Sequence, residues 1–237
     1  MSENILDKII KKKIERIDLL KKSISLKLLN EQINENKSFI NFKEKIQNNI
    51  NDKKISIIAE IKKASPSAGI IIKEYNPIKI AEIYYKKRIT CLSILTEENF
   101  FLGDLIHVSK VKEKINLPIL CKDFFIDKFQ VPLAKSYGAD AILIILAGVS
   151  DDLAFDLYEE ALIGINNRNL KTLKTDINTT YDIHDVLINH SGPLISESGI
   201  KTKEELLELN DKTKIKTFLI GESLLINLNN NSIFSVL

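Results

Sequence analysis

Residues 55–69 read ISIIAEIKKASPSAG. The stretch begins as an apolar strand and then acquires a carboxylate, Glu60, and a lysine, Lys62. Alternate side chains of a strand share a face, so Glu60 and Lys62 point the same way as Ser56 and Ile58. Ionised groups are rarely buried unless paired or used. Either the strand surfaces at Glu60, or these charges meet a common ligand. Polar residues close later apolar runs in the same manner: Thr96 and Glu97, Lys122 and Asp123, Asn166 to Arg168, Glu197 and Ser198, and Gly221 and Glu222. The set offers cations (Lys62, Lys122, Arg168), carboxylates (Glu60, Glu197) and an amide (Asn166). A lysine beside carboxylates can serve as a general acid or form a Schiff base. Glycines in Ser198-Gly199 and Gly221-Glu222 would let backbone N–H groups approach a phosphate. The chemistry expected is that of an anionic, phosphorylated small molecule. No Ser-His-Asp set and no paired-histidine motif occurs, and His107, His184 and His190 read as surface or structural residues.

The elements that must hold these groups follow from the pattern. Short β-branched runs at 55–61, 90–95, 117–122, 141–146, 162–166, 193–198 and 217–221 alternate with amphipathic stretches such as PIKIAEIYYKK and KEELLELN. Strands alternating with helices predict a parallel sheet, and their recurrence predicts a (β/α) barrel over residues 55–237. A barrel gathers its active site at the C-terminal ends of its strands, where all the polar groups above fall. Residues 4–50 read as helix with interruptions at asparagines, because Leu6, Ile10, Ile14 and Ile17 recur at helical spacing. Residues 1–54 are therefore expected to form an N-terminal helical extension.

Composition excludes several classes. The chain has 237 residues, 44% hydrophobic and 28% charged, with a formal net charge of +2. The extension is basic, but its charges alternate in sign, as on a solvated helix face rather than a nucleic-acid surface. No apolar run reaches the ~18 residues of a membrane span. The start, MSENILDKIIKKK, lacks the pattern of a signal peptide. Two distant cysteines, Cys91 and Cys121, fit reduced thiols in a cytoplasmic protein without a metal site. No nucleic-acid or membrane partner is expected, and a monomer or weak homo-oligomer is.

With these residues in place, the chain resembles the indole-3-glycerol-phosphate synthases. The matching segments are ILDKIIKKKIERI, IIAEIKKASPSAG, LSILTEENFFLGD, LPILCKDFFIDKFQ, GADAILIIL, LIGINNRNLKTLKTD, SESGI and FLIGESLL, in family order over nearly the whole chain. The resemblance implies a (β/α)8 TIM barrel that closes 1-(2-carboxyphenylamino)-1-deoxyribulose 5-phosphate into indole-3-glycerol phosphate, with loss of CO2 and water and without cofactor or metal. It implies Lys122 as general acid, Lys62 beside the substrate carboxylate and carbonyl, and Glu60 holding Lys62. Ser65, Asn166 and Arg168 would contact carboxylate and sugar, and Glu197 a hydroxyl or the lysines. Ser198, Gly199, Gly221 and Glu222 would cradle the phosphate.

The chain departs from that family in two places. The segment SDDLAFDLYEEA runs directly into LIGINNRNL, where the family has a further strand whose glutamate is its general base. Seven strands are counted instead of eight, with the gap near residues 150–162. Ser150-Asp151 as an N-cap favours helix for this segment over recruitment as a substitute strand. The absent base leaves an alternative reading, a catalytically impaired pseudoenzyme or phosphate-ligand-binding barrel. The second departure is at Arg88-Ile89, where the family has a Gly-Ala turn. Both residues tolerate positive φ poorly, so a different turn is expected.

Overall fold

A computed structural model describes residues 4–35, 38–149, 163–187 and 192–237. The chain begins with three helices, α1 (Ile5–Ser23), α2 (Leu26–Glu35) and α3 (Phe42–Asn51). The extension is thus broken after Ser23, where no asparagine stands, and again before α3, where Asn41 does. Ile24 turns extended after α1 (φ −126°), and Asn41 caps α3 by accepting from Glu44 N–H at 2.9 Å. One face of each helix carries the buried residues: Leu6, Ile9 and Ile17 on α1, Leu29 on α2, and Phe42 and Ile46 on α3.

Then come β1 (Ser56–Ile61), the short hairpin β2 (Ala64–Ser65) and β3 (Gly69–Ile70), α4 (Pro77–Lys86), β4 (Cys91–Leu95), α5 (Ile106–Lys112), β5 (Ile119–Lys122), α6 (Gln130–Ser136) and β6 (Ala141–Ile142). The second part holds β7 (Ile163–Asn166), α7 (Asn178–Val186), β8 (Leu194–Glu197), α8 (Lys203–Thr213), β9 (Thr217–Ile220) and α9 (Glu222–Ile226). Seven strands form one parallel sheet in the order β6-β5-β4-β1-β9-β8-β7. Its two edges, β6 and β7, and its centre, β1, are followed by residues that line a single cavity. The sheet is therefore curled toward a barrel.

The two faces of the sheet are both apolar, as burial on both sides of a parallel sheet requires. Outward, Ile57, Ala59, Ile61, Leu92, Ile94, Phe218 and Ile220 pack on helix residues including Tyr84, Val108, Leu206 and Leu224. Inward, Ile58, Cys91, Leu120, Ile195 and Leu219 form a smaller cluster, sealed by Phe42 and Ile46 of α3. The third helix of the extension is thus the floor of the barrel, opposite the polar strand ends. Both cysteines are buried and free, and burial pushes their thiols up, Cys121 to about 12.

Several expectations are corrected. The run 141–146 yields a strand of only two residues, paired on one side with Leu120 and Cys121. Among the described residues nothing pairs with its other side, so the ladder does not extend. Arg88 itself takes the left-handed conformation (φ 60°), and Ile89 N–H returns to Tyr84 O at 3.2 Å to close α4. The turn therefore keeps its positive φ without a glycine, at a cost of roughly 1 kcal/mol. The hairpin β2–β3 was not anticipated. The segment expected to be helical after Ser150 lies outside the described residues. No helix among those described is long and apolar enough to cross a membrane.

Candidate active site

The charged centre comes from three strands. Glu60 lies near the end of β1 with Lys62 just beyond it, β5 ends on Lys122, and β8 ends on Glu197. Glu60, Lys62 and Glu197 are buried, and the Lys122 side chain is 16% exposed. Lys122 Nζ lies 2.8 Å from Glu60 Oε2 and 3.8 Å from Glu197 Oε2. Lys62 Nζ donates to Glu60 Oε1. One carboxylate thus binds both lysines, one through each oxygen.

The environments separate the two carboxylates. Burial alone would raise Glu60, but the Lys122 charge and then that of Lys62 outweigh it and hold Glu60 at about 2. For Glu197 burial prevails; Lys122 offsets it only in part, the Glu60 charge adds to it, and its pKa is raised. Burial works against the Lys122 ammonium too, yet Glu60 and Glu197 raise it above its ordinary value. Lys122 therefore carries its proton at neutral pH beside one firmly ionised carboxylate and one reluctant one, a division that suits acid–base work.

Two glycines make room for these carboxylates. A Cβ at Gly221 would overlap Glu60 Oε1, and a Cβ at Gly164 would overlap Glu197 Oε1. Each carboxylate leans over the neighbouring strand where only hydrogen projects. Gly164 was not singled out from the sequence; only the register, which places Gly164 beside Ile195 and Asn166 beside Glu197, reveals it.

The three residues Asn166 to Arg168 divide their work. Asn166 faces the cavity, and its Oδ1 accepts from Arg168 N–H at 2.9 Å. Asn167 is buried and ties two strand ends together. Its Nδ2 donates to Ser198 O at 3.0 Å, and its Oδ1 accepts from Thr180 Oγ1 at 2.8 Å. Arg168 reaches over the mouth, where Nε donates to Thr175 Oγ1 at 3.2 Å and Nη2 lies 3.7 Å from Glu222 Oε2. Ser198 and Gly199 both have positive φ (69° and 84°), bending the chain after β8 so that its backbone borders the cavity.

The cavity has a volume of about 780 Å³. Glu60, Lys62, Lys122, Asn166, Arg168, Ser198, Gly199, Gly221 and Glu222 all line it. Ser65 and Glu197 do not. Ser65 is buried, its Oγ accepting from Ala68 N–H at 3.2 Å, so it stiffens the turn whose Pro66, Ser67 and Ala68 form the wall. Glu197 stands behind Lys122. The extension supplies the opposite wall through Ile5, Leu6 and Ile9 of α1. Lys13 anchors that helix. It is buried and bridges Asp123 Oδ1 at 2.8 Å and Glu98 Oε2 at 2.9 Å. The sequence did not single it out, because the helical pattern puts a lysine there on an apolar face without naming its partners.

A curled parallel sheet with a lysine–carboxylate centre at its C-terminal strand ends and glycine turns beside it defines a barrel enzyme architecture for an anionic ligand. The family model described as indole-3-glycerol phosphate synthase matches residues 6–162 and 160–236. The chain belongs to the indole-3-glycerol phosphate synthase family. It is 37% identical over 247 residues to the indole-3-glycerol phosphate synthase of Alkaliphilus metalliredigens (strain QYMF), covering 93% of each chain. It is 39% identical over 253 residues to that of Prochlorococcus marinus subsp. pastoris, covering 93% of this chain and 84% of the other. Tryptophan biosynthesis protein TrpCF of Buchnera aphidicola subsp. Schizaphis graminum is 38% identical over 255 residues, with 97% of this chain spanning 54% of that protein. A tryptophan synthase alpha chain from Legionella pneumophila subsp. pneumophila matches in fold, with TM-score 0.54, 10% identity and coverage of 83% and 92%. These alignments are longer than the 237-residue chain, so the relatives hold residues that this chain lacks, and the family match divides into two segments that meet at 160–162.

Proposed function

We propose that this chain closes 1-(2-carboxyphenylamino)-1-deoxyribulose 5-phosphate to indole-3-glycerol phosphate, releasing CO2 and water, as a carbon–carbon lyase of tryptophan biosynthesis. The observation that carries the reading is Lys122, held between Glu60 and Glu197 at the floor of the cavity with a raised pKa. In the reaction it is the general acid, giving its proton to the ribulose carbonyl oxygen as the new carbon–carbon bond forms, or to the departing hydroxyl. Lys62 attends the substrate carboxylate and carbonyl, and Glu60 fixes both lysines. Asn166 and Arg168 contact carboxylate and sugar. Ser65 acts indirectly, through the turn it stiffens. Backbone N–H groups of Ser198, Gly199, Gly221 and Glu222 receive the phosphate.

The family's general base belongs to the strand between β6 and β7, and the break of the family match at 160–162 supports its loss here. Proton acceptance then falls to water or to a carboxylate of the centre, and turnover is slower by up to the ~10²–10⁴-fold that general acid–base catalysis contributes. The comparisons lend no support to the alternative of a non-catalytic binding barrel. The test is turnover by soluble, monodisperse protein, followed by indole fluorescence. Measurable turnover that Lys122→Ala abolishes is expected; a folded wild-type protein without turnover, or undiminished turnover by Lys122→Ala, overturns the assignment.

A further inference from the structure

Three of the cations that line the cavity, Lys62, Lys122 and Arg168, are engaged by carboxylates, and Lys201 lines it as well. Lys62 and Lys122 pair with Glu60, which is buried and lies beneath them. Arg168 differs, because its carboxylate partner stands on the rim. Glu222 is the first residue of α9, its side chain is 39% exposed, and Oε2 lies 3.7 Å from Arg168 Nη2. The other end of the guanidinium is fixed: Nε donates to Thr175 Oγ1, and a backbone bridge joins Arg168 to Thr175. The arginine is thus anchored at Nε, while its Nη end faces a carboxylate free to swing outward.

An anionic ligand entering this mouth meets the Glu222 carboxylate at the very place where it seeks a cation. The two negative groups cannot both take Nη2 without repelling one another, and the solvent-facing one yields at least cost. Building on the reading above, we infer that Glu222 is a latch: it holds Arg168 in position across the empty mouth and is displaced from Arg168 by an oxyanion of the ligand, carboxylate or phosphate. Glu222 is then a positioning residue that tunes affinity, apart from whatever its backbone N–H provides.

The experiment measures binding of inorganic phosphate and, separately, of anthranilate to the full chain by calorimetry. Glu222→Gln keeps the shape and removes the competing charge. It should tighten one of the two probes by about two- to five-fold, the size of an exposed ion pair. Tightening of phosphate assigns the displacing oxyanion to the phosphate, and tightening of anthranilate assigns it to the carboxylate. The gain should vanish in an Arg168→Ala background. A gain that persists there means that Glu222 merely repels the ligand, and it overturns the latch. Unchanged or weaker binding of both probes by Glu222→Gln also overturns it, while leaving the synthase reading intact. Failure of the wild-type chain to bind either probe instead removes the ligand site on which both rest.

Discussion

Glu60 helps to set the protonation of Lys122. Replacing it with glutamine removes the charge that most raises Lys122, and burial then drives the lysine pKa down. Lys122 must be protonated to act as acid, so the alkaline limb of the kcat profile lies above the range of an ordinary lysine in the wild type and should move to lower pH in Glu60→Gln. A profile with an unmoved limb would separate Lys122 from the rate. Most of this site was legible in the sequence because polar residues at the ends of apolar runs stand out one at a time. What one residue does to another was not. Gly164 and Gly221 matter through the carboxylate of a neighbouring strand, and Ser65 looks like a ligand contact until its hydroxyl is seen to serve its own turn.

The first helix is fastened to the barrel by one buried cation. Lys13 reaches Asp123, the residue after the candidate acid, and Thr96 Oγ1 donates to the other oxygen of that carboxylate at 2.7 Å. Lys13→Met would leave the largely covered Asp123 carboxylate without its counter-charge, a loss of about 3 kcal/mol. The expected outcome is a lower midpoint in urea unfolding together with a raised KM, since Ile5, Leu6 and Ile9 wall the cavity. A stability loss with unchanged KM would restrict Lys13 to a structural role. The periodicity of residues 4–50 reveals that helices lie there and which face is apolar, but not that α3 floors the barrel while α1 walls its mouth. Those are facts of long-range packing, which local spacing does not encode. The shortened β6 has the same origin: its apolar run promises six residues, yet a strand reaches only as far as its partners do.

At the scale of the molecule, the centre of charge makes stability depend on acid. The folded pKa of Glu60, about 2, lies below the 4.5 of an ordinary glutamate. Its contribution is therefore full above pH 4.5 and is lost as pH falls through 2, on the order of 3 kcal/mol in all. Glu197 runs the other way, since its raised pKa makes the folded state gain from protonation as pH falls. Urea titrations at successive pH values should show stability falling below pH 4.5, and Glu60→Gln should flatten that fall. The alternation of strands and helices made the barrel legible, whereas the lack of a rung between β6 and β7 among the described residues was not visible in spacing, because the remaining intervals look regular. The strand order carries one more consequence. β1 sits at the middle of the sheet, with β4, β5 and β6 added on one side and β9, β8 and β7 on the other. Within the sheet, the chain forms two lobes joined by the single β1–β9 ladder, where Ser56 to Ala59 lie beside Thr217 to Ile220, while α3 and the Lys122–Glu197 pair also bridge them. The polypeptide joining β6 to β7 adds no rung between the lobes among the described residues. Severing it should leave two fragments able to reassemble by complementation, with ring-closing activity recovered on mixing, whereas a cut between β1 and β4 would divide a lobe and should not.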